Sequence, residues 1–89
     1  MDDWRAVFDR PPLTERTVGT GESTSAAVIE AVASVSNSRN EDLPPLYDAV
    51  DPDLLERGFV RADHGLIAFP YGGYVVSVEA DRTVAVYDR

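Results

Sequence analysis

The chain has 89 residues, of which sixteen are acidic, eight are basic and none is cysteine, and its formal net charge is −8 at pH 7. This length allows one domain with a small core and excludes a large enclosed active site, while the lack of cysteine excludes disulfides and thiolate metal sites. No apolar run approaches the roughly 18 residues that span a bilayer, and the acidic N-terminus is unlike a signal peptide. We therefore expect a cytoplasmic protein with no membrane contact.

The charged residues indicate adaptation to salt. All eight basic residues are arginines, and lysine is absent. At molar salt the Debye length falls to about 3 Å, which screens the self-repulsion of so acidic a small domain. We expect a halophilic cytoplasm and a requirement for high monovalent salt. An excess of acidic residues is also the reverse of a nucleic-acid-binding surface, so no nucleic acid partner is expected.

Residues 1–22 are predicted to form an N-terminal arm or flexible tail, because they lack sustained periodicity and contain two prolines and two glycines. Residues 23–89 are predicted to form a single domain. Within the arm, Trp4, Val7 and Phe8 have the spacing of one face of a short helix. These residues either belong to a frayed terminus or dock on the domain or on a partner, since exposed aromatic side chains favour burial.

The stretch STSAAVIEAVASVSN (23–37) predicts the longest helix. Ser23 or Ser25 is a suitable N-cap, and the alanines favour helix. Asn37 is a suitable C-terminal cap. Because Glu30 is the only charge, we expect the helix to be buried on more than one side.

The next stretch, LPPLYDAVDPDLL (43–55), contains three closely spaced aspartates. Pro52 cannot continue a helix through Asp48, so two short helices are predicted, with Asp51 capping the second and Asp53 near its positive end. This assigns structural roles to two aspartates and leaves Asp48 unexplained. The alternative is a small-ligand or hard-cation site formed by Asp48, Asp51 and Asp53.

Residues 66–79 predict a β-hairpin around Gly72-Gly73. Pairing outward from this turn places Tyr71, Phe69 and Ile67 opposite Tyr74, Val76 and Val78 on one core-facing side, and leaves the other side mostly in water. Pro70 lies where its missing N–H points away from the partner strand. This makes 66–71 an edge strand and 74–79 a central one.

A third strand is predicted at residues 83–87. A three-residue connection (80–82) places Val84 and Val86 on the core face, whereas a two- or four-residue connection places them in water. The connection puts Arg82 at a position that usually requires positive φ, with a strain of about 1 kcal/mol. The predicted fold is therefore α+β and two-layered, with one longer N-terminal helix and two short helices packed on a three-stranded antiparallel meander.

Four stretches carry a family resemblance: SAAVIEAVASV (25–35), DLPPLYDAVDPDLL (42–55), FPYGGYVVSV (69–78) and TVAV (83–86). In this order they resemble the halobacterial output domain 1 family. The resemblance implies a haloarchaeal source and a signalling output module without an established activity, found alone or downstream of receiver and sensory domains. Two features depart from the family. Arg82 stands where the family tends to have glycine, and these 89 residues contain no receiver domain.

The sequence offers little for catalysis. His64 is the only histidine, and without a second histidine or a cysteine it is better interpreted as a solvated turn residue than as a metal ligand or proton shuttle. No nucleophile has a base at a recognisable spacing, so we expect no enzyme activity, catalytic residue, cofactor or metal. The expected function is a regulatory module that contacts a protein partner or a second copy. The candidate contact residues are Trp4, Val7, Phe8, Leu66, Ala68, Pro70 and Asp48.

Overall fold

The structure of the chain is a computed structural model, and it describes residues 8–51, 55, 66–79 and 81–88. In chain order the elements are strand β1 (Thr14–Thr17), helix α1 (Thr24–Ser36), two short 3₁₀ turns (Asn40–Asp42 and Leu46–Asp48), and strands β2 (Leu66–Tyr71), β3 (Tyr74–Glu79) and β4 (Thr83–Asp88). All strands pair antiparallel in one sheet of order β1-β4-β3-β2, so the class is α+β as predicted.

Helix α1 begins and ends at the residues that its sequence indicates. The Ser23 side chain accepts a hydrogen bond from the Ala26 N–H at 3.2 Å, which satisfies a donor of the first turn. Asn37 has φ 55° and ψ 40°, the left-handed conformation of a helix C-terminal cap. Val28 and Val32 are fully buried against the sheet, and both cap predictions are confirmed.

The β2–β3 hairpin has the predicted register. Tyr71 pairs with Tyr74, and the ladder continues to Leu66 opposite Glu79. Gly72 and Gly73 have φ 61° and 89°, which a tight two-residue turn needs at both positions.

The β3–β4 connection is also confirmed. Val78 pairs with Val84, as a three-residue connection requires. The Arg82 N–H donates to the Glu79 carbonyl at 2.8 Å, and Arg82 has φ 68°. An arginine therefore adopts the left-handed conformation that was expected at this position.

The prediction of a three-stranded sheet is wrong, because β1 adds a fourth strand. β1 lies within the stretch predicted as an arm or flexible tail, and it pairs with β4 from Thr14 opposite Val86 to Thr17 opposite Thr83. The Val18 N–H extends this pairing to the Arg82 carbonyl at 2.9 Å. The strand was missed because its residues are all polar and show no apolar alternation.

The number of helices also differs from the prediction. The turn Leu46–Asp48 occupies part of the first predicted short helix, whereas the turn Asn40–Asp42 was predicted as loop. Most of the second predicted helix lies outside the described residues. At its start, the Leu55 N–H donates to the Asp51 carbonyl at 3.4 Å, the spacing of one α-helical turn.

Both faces of the sheet contain buried residues. The face toward α1 holds the main core, which includes Phe69, Tyr71, Val76, Val78, Val84 and Val86. The opposite face was predicted to be mostly wet, yet Val75, Ser77 and Ala85 are only 0%, 2% and 3% exposed. These three residues lie on the two central strands, so this prediction is wrong at the centre of the sheet and holds only for exposed Leu66, Pro70 and Glu79.

Candidate interaction surfaces

The first predicted surface was the N-terminal arm, of which Trp4 and Val7 lie outside the described residues. The Phe8 ring packs edge-to-face on Tyr87, with 4.8 Å between ring centroids and 88° between planes. Such a pair stabilises by about 0.5–1.5 kcal/mol beyond the area that it buries. Phe8 thus contacts the sheet of its own chain.

The second predicted surface was the outer edge of β2. In a two-residue hairpin the closing pair, Tyr71 and Tyr74, is hydrogen-bonded, and hydrogen-bonded and non-hydrogen-bonded pairs then alternate along the ladder. Leu66, Ala68 and Pro70 are therefore non-hydrogen-bonded toward β3, and their backbone groups point outward. We call these outward groups the β2 edge. Leu66 is 54% exposed and Pro70 is exposed, so the structure brings the three predicted residues together on one accessible edge.

The acidic stretch does not form a cation site in the part of the chain that the structure describes. Asp48 is exposed at the end of the second 3₁₀ turn, and Asp51 follows it, also exposed. Asp53 and His64 lie outside the described residues. Among the described residues no three or more acidic or histidine side chains come close enough to hold a metal ion. The cation alternative therefore has no support from this geometry.

A wide polar groove of about 600 Å³ lies beside the C-terminal half of α1. Its two charged lining residues, Glu30 and Arg39, are already engaged within the chain. Glu30 accepts from Arg16 at 2.8 Å, and Arg39 donates to Asp42 at 3.1 Å. The groove thus presents no unengaged acid–base pair for proton transfer.

Sequence reasoning missed an ion-pair network between β1 and α1. The Arg16 guanidinium bonds Glu30 and Glu22, and the hydrogen bond to Glu30 together with the charge of Glu22 raises the pKa of Arg16. All three side chains are substantially exposed, so the network orients β1 more than it stabilises the fold. No sequence signal reveals it, because it depends on the unpredicted strand.

Comparison with known protein families gives a match. The model of halobacterial output domain 1 matches residues 20–88, more than three quarters of the chain. The chain belongs to the halobacterial output domain 1 family. This output domain has no significant similarity to a curated protein or to a solved structure. The family match begins after the end of β1, so β1 is outside the matched region.

The side chain of Arg82 bonds to the start of α1. Its Nη2 donates to the Glu22 carbonyl at 2.7 Å and to Thr24 Oγ1 at 3.0 Å. Thr24 is only 1% exposed and begins α1. The guanidinium thus links the β3–β4 turn to the N-terminus of the helix.

The family to which this output domain belongs is not a known enzyme family. None of the described helices is long and apolar enough to cross a bilayer.

Proposed function

We propose that this output domain is a non-catalytic signalling module of a haloarchaeal cytoplasm, and that it acts by binding another protein chain. Its family supports the signalling role. The observation that carries the protein contact is the β2 edge, an accessible row of backbone groups on a strand without any charged residue. Such an edge takes an added strand, and exposed Leu66 supplies apolar contact beside it.

The charge of the chain favours a protein over a nucleic acid. With sixteen acidic residues and only eight basic ones, the chain lacks the excess of basic residues that is typical of surfaces that bind phosphate backbones. The same charge supports a requirement for high monovalent salt. Contacts made under those conditions depend on apolar burial and backbone hydrogen bonding, because salt screens exposed ion pairs.

Affinity capture by the full tagged chain from a haloarchaeal extract, at about 2 M KCl, tests this function. Leu66→Glu places a charge beside the β2 edge, and Leu13→Glu is its matched control because Leu13 is also half-exposed, at 50%. We expect the wild-type chain and Leu13→Glu to capture one and the same partner, and Leu66→Glu to lose it. That partner is either another protein of the extract or the endogenous copy of this chain. If no protein is retained, or if Leu66→Glu retains it equally, the proposal is wrong.

A further inference from the structure

The β2 edge has an unequal set of hydrogen-bonding groups. Leu66 and Ala68 each direct an N–H and a C=O outward, whereas Pro70 directs only a C=O. Among the described residues, no backbone group bonds to these outward groups. A strand that pairs here must therefore supply its own donors and acceptors in a matching pattern.

We propose that the β2 edge binds the β2 edge of a second copy, antiparallel and about a two-fold axis at Ala68, so that one sheet runs continuously through both chains. This inference rests on the proposed function, and it names the partner of the same surface. The partner is a second copy because the pattern of donors on β2 complements itself.

The backbone groups match in this register. The two Ala68 residues exchange a pair of hydrogen bonds, as directly opposed residues of an antiparallel ladder do. Each Leu66 N–H donates to the Pro70 carbonyl of the other copy. Pro70 has no N–H to donate to the Leu66 carbonyl of the other copy. That carbonyl lies at the end of the paired segment, where water can bond to it instead. The proline thus limits the length of the pairing without leaving a buried group unsatisfied.

The side chains match on both faces. Toward α1, Ile67 of one copy lies opposite Phe69 of the other, an aliphatic–aromatic pair that continues the core. On the opposite face, Leu66 lies opposite Pro70. The pairing covers Leu66, one of the few large apolar side chains that are exposed among the described residues, and it does so twice because of the symmetry.

Charge distinguishes the two edges of the sheet. β1, at the other edge, carries Glu15 and Arg16, and charged side chains on an edge strand oppose pairing. β2 carries no charge, so pairing there sets no charged side chains of the two strands against each other, and molar salt screens the net charges of the two copies. Because two-fold pairing uses both β2 edges and leaves the charged β1 edges outermost, the assembly stops at a dimer.

Substitution of Ala68 by proline tests the proposal with little change to the monomer. The Ala68 N–H points away from β3, so Ala68→Pro removes no bond within the hairpin, and a strand edge tolerates the fixed φ of proline. The matched control is Glu15→Pro on β1. The bond from the Val18 N–H to the Arg82 carbonyl shows that Glu15 is also outward-facing in its ladder.

Light scattering after size exclusion in about 2 M KCl gives the readout, with circular dichroism to verify the fold. We expect the mass of two chains for the wild type and Glu15→Pro, and of one chain for Ala68→Pro. A monomeric wild type, or a dimer that survives Ala68→Pro, overturns the proposal. If Ala68→Pro does not fold, Leu66→Glu takes its place with the same expected loss of the dimer.

Single cysteines test the register, since the chain has none of its own. Directly opposed residues at the axis have Cα atoms about 5.5 Å apart, within the range of a disulfide. We expect Ala68→Cys to form an oxidised dimer, and Ile67→Cys to remain unlinked because it faces Phe69 of the other copy. The reverse result overturns the Ala68 axis. If the wild type is a monomer and captures a different protein that Ala68→Pro does not capture, the β2 edge does not bind a second copy. The proposed function, binding of another protein chain, would still stand.

Discussion

Replacement of Arg82 by glycine should destabilise the domain, although glycine adopts the left-handed conformation more easily. The Arg82 backbone is held at φ 68° by hydrogen bonds on both sides, from its own N–H to Glu79 and from the Val18 N–H to its carbonyl. The arginine side chain is what glycine cannot replace. It bonds the Glu22 carbonyl and the buried hydroxyl of Thr24.

The two effects have opposite signs and different sizes. Relief of the left-handed strain contributes about 1–2 kcal/mol in favour of glycine, and the greater entropy of glycine in the unfolded chain removes about 0.5–1 kcal/mol of that gain. Against this, a hydrogen bond from a charged donor contributes about 1.5–3 kcal/mol. We assign a free energy in that range to the bond with buried Thr24, and a smaller one to the more exposed bond with Glu22. We therefore expect Arg82→Gly to lower the free energy of unfolding by about 1–2 kcal/mol.

Urea unfolding at a fixed KCl concentration measures this change, and two further variants separate its causes. Arg82→Asn keeps a residue that tolerates the left-handed region while removing the guanidinium. Thr24→Val removes the acceptor at nearly constant volume. In a double-mutant cycle, Arg82→Asn and Thr24→Val should couple by about 1 kcal/mol. If Arg82→Gly is as stable as the wild type, or if the two changes are additive, the guanidinium does not offset the strain and the reasoning is refuted.

Three further predictions concern pH, salt and helix capping. Burial raises the pKa of the Tyr71 phenol above its usual value of 10.0, so as the pH rises the unfolded chain loses this proton before the folded chain does. The contribution of the protonated phenol to the free energy of unfolding is therefore complete below pH 10.0 and is lost as the pH rises through the pKa of the folded state. Tyr71→Phe should remove this alkaline decline, measured by urea unfolding at several pH values, and should cost about 1 kcal/mol at neutral pH by removing the 2.6 Å bond to the Pro44 carbonyl. The melting temperature followed by circular dichroism should rise between dilute buffer and about 2 M KCl, and an unchanged value would contradict the halophilic interpretation. Asp51→Ala should lower stability by about 1 kcal/mol if its carboxylate caps the turn that ends at Leu55, whereas a stable variant that loses partner binding would favour a functional role for Asp51.

The elements that the sequence predicted well have local chemical signatures. Ser23 and Asn37 cap α1 through bonds to residues three or four positions away. Gly72 and Gly73 specify a turn, and the turn sets the register of the whole β2–β3 ladder. The three-residue connection at Arg82 followed from patterning alone, because a shift by one residue would have moved Val84 and Val86 off the face that holds Val76 and Val78. In each case a few neighbouring residues determine the geometry.

The features that were missed depend on distant residues. Val75, Ser77 and Ala85 are buried, although a face with one serine, one alanine and exposed Glu79 has no apolar pattern. The bonds of Arg16 and Arg82 likewise require β1 and the start of α1 to be placed first. The β2 edge was an exception among the candidate surfaces, because the missing N–H of Pro70 is itself a local signal of an edge position.

The polar composition that kept β1 from being predicted also explains why β1 forms an edge of the sheet. Without β1, β4 would be an edge strand, and its backbone beside fully buried Val84 and Val86 would be open to pairing. β1 covers that backbone with a strand whose residues are threonine, glutamate and arginine, and whose Arg16 is fixed to α1 by Glu30. A polar, charged strand is hard to recognise from apolar alternation, yet it is the kind of strand that ends a sheet without inviting another chain. β1 therefore leaves β2 as the uncharged edge of the sheet, and the surface through which this output domain would bind is decided as much by β1 as by β2 itself.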